Sequence, residues 1–131
     1  MSVSSKETIN TNLPILPISA VAQALNVHQR TLRIYDTQGI LCPQRTEKNR
    51  RNYSLDDLEK AKLILFLTRN LALNLSGVKI ILAILEKQKI KPMEYMSFIE
   101  EIAKTAGINT KVQENNIEKT ARRGRKPKEK E

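Results

Sequence analysis

From residue 18 to residue 106 the apolar positions recur at three- and four-residue intervals, broken by short polar stretches. Ile18, Val21, Ala22 and Leu25 share one helical face and predict a short first helix, with the Ser19 hydroxyl as its cap. Asn26 tolerates the left-handed backbone of a tight turn. A second helix follows from about His28 to Gln38, stopped by Gly39. The stretch QRTEKNRRNYS predicts a small hairpin, with strands near 44–46 and 50–53 and Lys48-Asn49 between them. Ser54 and Asp57 form a capping box ahead of a third helix at about 55–72. Its stripe is Leu58, Ala61, Leu65 and Thr68, with Ile64, Leu67 and Leu71 beside it. Ser76 starts a fourth helix that runs to about Lys89. Its VKIILAIL segment is apolar on nearly every side, which predicts burial by more than one neighbour. Pro92 opens a fifth helix, striped by Tyr95, Ile99, Ile102 and Ala106 and ended by Gly107.

The flanks differ in kind. LPILPI, at 13–18, holds two prolines and suits an extended segment laid on the core. Residues 1–12 are polar and without periodicity, a flexible lead-in. Beyond about residue 110 apolar positions thin out and lysine, arginine and glutamate dominate, the composition of a disordered basic tail.

Charge then narrows the function. The 131 residues include 23 Lys and Arg against 14 Asp and Glu, a net charge of +9. The excess is uneven. Residues 28–53 hold six basic side chains (30, 33, 45, 48, 50 and 51) against two acids (36 and 47), and residues 111–131 hold eight against four. Residues 54–110 are nearly balanced, eight against seven. Such a distribution points to an anionic partner, nucleic acid before a membrane surface. One cysteine, Cys42, allows no internal disulfide and fits a reducing compartment. With a single histidine, His28, besides, no metal centre is expected, and no cofactor. His28 reads as a cap or packing residue, Cys42 as half-buried filler, and Met93 and Met96 as ordinary helix packing. No apolar run approaches the roughly 20 residues of a membrane span, and the N-terminus lacks the apolar core of a signal peptide. A cytoplasmic, nucleoid-associated location is therefore expected. No nucleophile–base pair, carboxylate dyad or glycine-rich phosphate loop suggests an enzyme.

Set out at about 100° per residue, the second helix turns Leu32 inward, with His28, Tyr35 and Asp36 within about a quarter turn of it. Arg30, Arg33, Ile34 and Thr37 fall on the outer face, flanked by Gln29 and Thr31. Ala22, Asn26 and Leu32 sit where a helix-turn-helix needs a small residue, a positive-φ turn residue and an aliphatic closure. In that motif the second helix enters the major groove, where arginine pairs with guanine edges and glutamine with adenine. Arg45, Lys48, Arg50 and Arg51 on the hairpin are placed to straddle the backbone beside the groove, and Tyr53 to pack its ring and offer its hydroxyl to a phosphate.

The pattern T-L-R-x-Y-D-x-x-G-I-L-x-P-x-R, followed by R-x-Y-S-x-x-D-L, resembles the DNA-binding domain of MerR-type regulators over about residues 15–73. LTRNLALNLSGVKIIL extends the likeness to about residue 85 and is most similar to the HspR heat-shock repressors. The resemblance implies a mainly α fold: a winged helix-turn-helix with a small two-stranded wing, two further helices and the disordered tail. It implies dimeric binding to an inverted-repeat operator in double-stranded DNA and repression of chaperone genes, with a chaperone co-repressor or a second repressor as partner. It carries base-reading and backbone-binding roles onto Arg30, Thr31, Arg33 and Tyr35 in the helix and onto Arg45, Arg51 and Tyr53 in the wing. The chain then divides into the lead-in (1–12), a DNA-binding domain (13–73), a helical dimerisation or partner region (74–110) and the tail (111–131). The fourth and fifth helices are shorter than the dimerisation helix of MerR-type activators, and no cysteine lies beyond 42, so a metal or thiol sensor does not carry over. A competing reading is an interaction module that binds a chaperone or co-repressor through helices 76–106, with DNA contact secondary.

ARRGRKPKEK, residues 121–130, resembles an AT-hook. Arg123 and Arg125 would extend along a narrow A·T minor groove, and Gly124 would let the chain lie flat on its floor. Lys126 interrupts the R-G-R-P core of that motif. The competing reading, a solvated basic tail adding nonspecific affinity, is the one the sequence favours.

Overall fold

The computed structural model describes residues 10–110. In chain order the elements are β1 (Leu16–Pro17), α1 (Ile18–Leu25), α2 (Gln29–Thr37), β2 (Gln44–Arg45), β3 (Arg51–Tyr53), α3 (Leu55–Leu65), α4 (Leu75–Lys87) and α5 (Tyr95–Thr105). The fold is mainly helical with a small sheet, a winged helix-turn-helix followed by two further helices.

The α1–turn–α2 unit forms as its three framing residues require. Ala22 is buried and lets the helices approach; Asn26 takes φ 58°; Leu32 is wholly buried. The expected cap of α1 is corrected. Pro17, not Ser19, holds the N-cap position, and no side chain caps the helix. With its fixed φ and no N–H, proline passes directly from strand into helix.

The sheet has three strands in the order β1-β3-β2, both pairs antiparallel, so the expected two-stranded wing gains a strand. Leu16 pairs with Tyr53 and Pro17 with Asn52. A proline is tolerable there because β1 is an edge strand. The Asn52 side chain also donates through Nδ2 to the Pro14 carbonyl, fixing the proline-rich segment on the wing. The described end of the lead-in is tied down too: the Asp56 amide donates to the Thr11 carbonyl at 2.9 Å.

The capping box of α3 is complete. Ser54 Oγ accepts from the Asp57 amide and Asp57 Oδ2 accepts from the Ser54 amide, both at 3.0 Å. The expected helix to residue 72 instead ends as α-helix at Leu65 and widens to a π-helical turn over Phe66–Asn70. Thr68 Oγ1 donates to the Ile64 carbonyl at 3.0 Å, an internal bond of the kind that competes with the helical ladder. Ala72 at φ 58° then turns the chain. For α4 the cap is Asn74, whose Oδ1 accepts from the Gly77 amide at 2.8 Å, rather than Ser76. A Cβ at Gly77 would stand 3.0 Å from Leu73 Cδ2 and 3.3 Å from that capping oxygen.

One buried cluster joins Val21, Leu32 and Tyr53 to Ile64, Leu67, Val78, Leu85, Tyr95 and Ile99. Two expectations about its edge are overturned. VKIILAIL is not enclosed: Val78 and Leu85 are buried, whereas Ile80 is 62% exposed and Ile84 51%. On α5 the buried line is Tyr95, Ile99 and Ala103, and Ile102 and Ala106 face out. The helix packs along strict i, i+4 steps, which rotates the stripe by one residue.

Candidate nucleic-acid interface

The second helix of the helix-turn-helix presents two unlike faces. Leu32 and Tyr35 anchor it in the core. Arg30, Arg33, Ile34 and Thr37 are exposed, and Gln29 and Thr31 lie half-buried on the flanks. Arg33 donates to Gln29 Oε1 at 3.0 Å, an i, i+4 bond that orders the two side chains as a pair. Arg30 forms no ion pair among the described residues. His28 occupies the N-cap position in extended conformation, exposed, and its side chain makes no cap bond. The Thr31 amide donates to the His28 carbonyl at 3.0 Å, which leaves the Gln29 and Arg30 amides, the first two of α2, to face outward, where a helix start suits a phosphate oxygen.

The wing is locked onto this helix by one carboxylate. Asp36, in the last turn of α2, accepts from Arg51 Nε at 2.9 Å and from Arg45 at 3.3 Å, both through Oδ2. Arg45 also donates to the Asn49 carbonyl at 3.1 Å. The tip is shaped by Asn49 at φ 63° and by Thr46, whose backbone and hydroxyl both bond to Arg50. Lys48 and Arg50 project from the tip, exposed and without ion pairs among the described residues. The result is a basic surface in two parts: unpaired cations on α2 and at the wing tip, and between them two arginines with one shared counter-charge.

Residues 16–84 match the MerR HTH family of regulatory proteins. The chain belongs to the MerR family. This MerR-family chain is 38% identical over 66 residues to a putative heat shock protein HspR of Streptomyces coelicolor, a stretch covering 50% of the chain and 44% of that relative. It is 32% identical over 92 residues to the HTH-type transcriptional regulator GlnR of Bacillus anthracis and to that of Bacillus cereus, covering 70% of each chain. The chain therefore spans less than half of the HspR relative and about two thirds of the GlnR relatives. The family match makes it a MerR-family HTH regulatory protein, and the likeness to HspR in its own residues recurs in the comparison.

Within the MerR domain the two tyrosines stand apart from the other expected contacts. Tyr35 is 6% exposed; burial pushes its phenol up from the ordinary range, and the Arg69 charge pulls partly against that. Tyr53 is wholly buried, and its hydroxyl finds no hydrogen-bond partner among the described residues. The expectation that this hydroxyl reaches a phosphate is corrected: β3 is hydrogen-bonded on both sides, and its last residue points into the core. Burial first, with Asp36 and Asp57 adding and the Arg51 and Arg45 charges opposing, pushes the Tyr53 pKa up to about 12.

Cys42 is exposed rather than half-buried filler. Its thiol pKa is raised by partial desolvation, by its hydrogen bond to Asp36 and by the acids nearby, with Lys79 opposing. Those influences favour the protonated thiol over the nucleophilic thiolate. Met93 is exposed, while Met96 packs on the core. No role for Asp36 is legible in the sequence, since its partners lie nine and fifteen residues away. The tail residues Arg123, Gly124, Arg125 and Lys126 lie outside the described residues. No helix among the described residues is long and apolar enough to cross a membrane.

Proposed function

We propose that this MerR-family regulator is a repressor of heat-shock or chaperone genes that binds an inverted-repeat operator as a homodimer in the cytoplasm. Gln29, Arg30, Thr31 and Arg33 read base edges, and Lys48 and Arg50, with Arg45 and Arg51 behind them, hold the backbone. The observation that carries this reading is the uncovered outer face of α2, with guanidinium groups exposed beside a wing that Asp36 fixes in place. The heat-shock assignment rests on the 38% identity to HspR over half of the chain. Self-association through 74–110 is supported by the exposure of Ile80, Ile84 and Ile102, apolar surface that water does not favour. The same surface supports a second reading, in which a chaperone or co-repressor docks there. The basic tail adds affinity along the flanking duplex.

A footprint of the full chain on the upstream region of its own gene tests the proposal. The expected result is a protected site with two-fold symmetry, and binding that falls steeply with salt, by about 0.9 log units per phosphate contact for each log unit of salt. Arg33→Ala should cost about 1–3 kcal/mol and relax the preference at one base position. Equal affinity for that site and a scrambled duplex would overturn the proposal. Removing 111–131 should weaken all duplexes alike; a loss confined to A·T-rich flanks assigns the tail to the minor groove instead.

A further inference from the structure

The outer face of α2 holds one residue that neither packing nor solubility explains. Ile34 is 44% exposed and belongs neither to the buried cluster nor to the partly buried side chains packed against it. It is the one large apolar side chain exposed among the described residues of α1, α2 and α3; the others lie before α1 or from α4 onward. A β-branched residue is also a poorer helix former than the straight-chain residues that usually fill exposed positions. Its neighbours at i−4, i−1 and i+3 are Arg30, Arg33 and Thr37, all exposed. Arg33 is drawn toward the helix start by its bond to Gln29, which leaves the isoleucine uncovered in the middle of the polar face.

In the major groove the edges of the bases carry donors, acceptors and a single kind of apolar group, the C5-methyl of thymine. We infer that Ile34 is a specificity-determining residue that packs against a thymine C5-methyl in each half-site. This rests on the operator-binding reading above and adds to it a methyl group that no donor or acceptor on α2 can read. Thymine and uracil present the same O4 acceptor and differ only in the methyl, so the contact can be deleted from the DNA side without touching a hydrogen bond.

The test begins with a duplex that the full-length protein selects from a random library. Each thymine in it is replaced in turn by deoxyuridine, and binding is measured for the wild type, Ile34→Ala and Ile34→Val. The expected result is one symmetry-related thymine pair at which deoxyuridine weakens the wild type about fourfold per methyl, the fold-change that burial of one such group gives. Ile34→Ala should bind the thymine duplex more weakly and be indifferent to the replacement at that position, and Ile34→Val should keep part of the discrimination. Because the side chain is exposed, both variants should melt with the wild type, which separates lost contact from lost fold. A selected site with no methyl-sensitive position, or sensitivity that Ile34→Ala leaves unchanged, overturns this inference alone. If no sequence is enriched at all, the operator reading fails, and this inference fails with it.

Discussion

Helices α2 and α4 are built on the same plan and finished in opposite ways. Each buries a narrow stripe, Leu32 and Tyr35 in one and Val78 and Leu85 in the other, and each leaves the reverse side open. On α2 that open side is Arg30, Arg33 and Thr37 around one isoleucine; on α4 it is Ile80 and Ile84, one helical turn apart. Exposed guanidinium groups are stable in water and suit a hydrated polyanion. Two exposed isoleucines at i, i+4 suit a surface that removes them from water. Under the proposed function, one small fold would separate its two contacts by chemistry: a charged face for nucleic acid and an apolar face for protein. Lys79 of α4 brings its amine to 3.9 Å from where a Cβ would stand at Gly39, just beyond the carbonyl end of α2. A cation is favourable at that end of a helix.

The sharpest way to break the comparison is to make α4 resemble α2. Ile80→Gln with Ile84→Gln replaces the apolar pair by neutral residues that form helices well. If the pair holds two copies together, sedimentation should show a monomer. Affinity for a two-fold operator should fall about 100-fold, since the second half-site is no longer held at high effective concentration. Affinity for a single half-site should not change, because the basic face is untouched. A dimer that survives the double substitution would move self-association to another surface, with Ile102 on α5 the next to test.

A smaller effect is expected from the hinge between helix and wing. Asp36→Asn keeps the shape of the side chain and removes the charge that Arg45 and Arg51 share. Arg45 is 41% exposed in that pair, so most of the energy lies in the Arg51 contact, and the stability loss should be about 1 kcal/mol. The effect on DNA should split. Nonspecific affinity should hold or rise, because one negative charge has left a surface facing phosphates. Affinity for the selected site should fall several-fold, because the wing is no longer fixed against the reading helix. Equal changes for both duplexes would reduce Asp36 to a matter of net charge.

How much of this was legible in the sequence follows from how local each determinant is. The capping-box partners Ser54 and Asp57 are three positions apart, and Asn26 needs only its own backbone to make the turn, so both are readable without a fold. The outer face of α2 is equally local, because helical geometry alone sorts Leu32 from Arg30 and Arg33. The open side of α4 is not. VKIILAIL signals that its apolar side chains want cover, but nothing in the string says whether cover comes from this chain or from another. Strand β1 was hidden for a related reason: a proline-rich segment gains a ladder only from a partner, here 35 to 37 residues away. The π-helical turn over Phe66–Asn70 is a widening within a helix already formed, which periodicity does not encode.

Tyr53 gives the smallest expected effect on DNA and the clearest division between reading face and core. From sequence it belongs with the basic wing residues; in the fold it belongs with Leu32 and Ile64. Tyr53→Phe should leave DNA affinity unchanged, since the hydroxyl is shielded. At neutral pH it should leave stability equal or up to about 1 kcal/mol higher, because a buried hydroxyl without a partner is costly. Alkaline pH separates the two proteins further. The folded phenol titrates at about 12 and an unfolded one near 10, so folding favours the protonated form. The stability that this preference supports is complete below about pH 10 and is lost as pH rises toward about 12, a share of up to roughly 2–3 kcal/mol. Tyr35 and Tyr95, whose phenols are also raised, keep their part of the alkaline slope in the variant. Tyr53→Phe should therefore unfold at a higher pH than the wild type, with a shallower loss above pH 10. A fall in operator affinity, with melting unchanged, would return Tyr53 to the wing and place its hydroxyl on a phosphate.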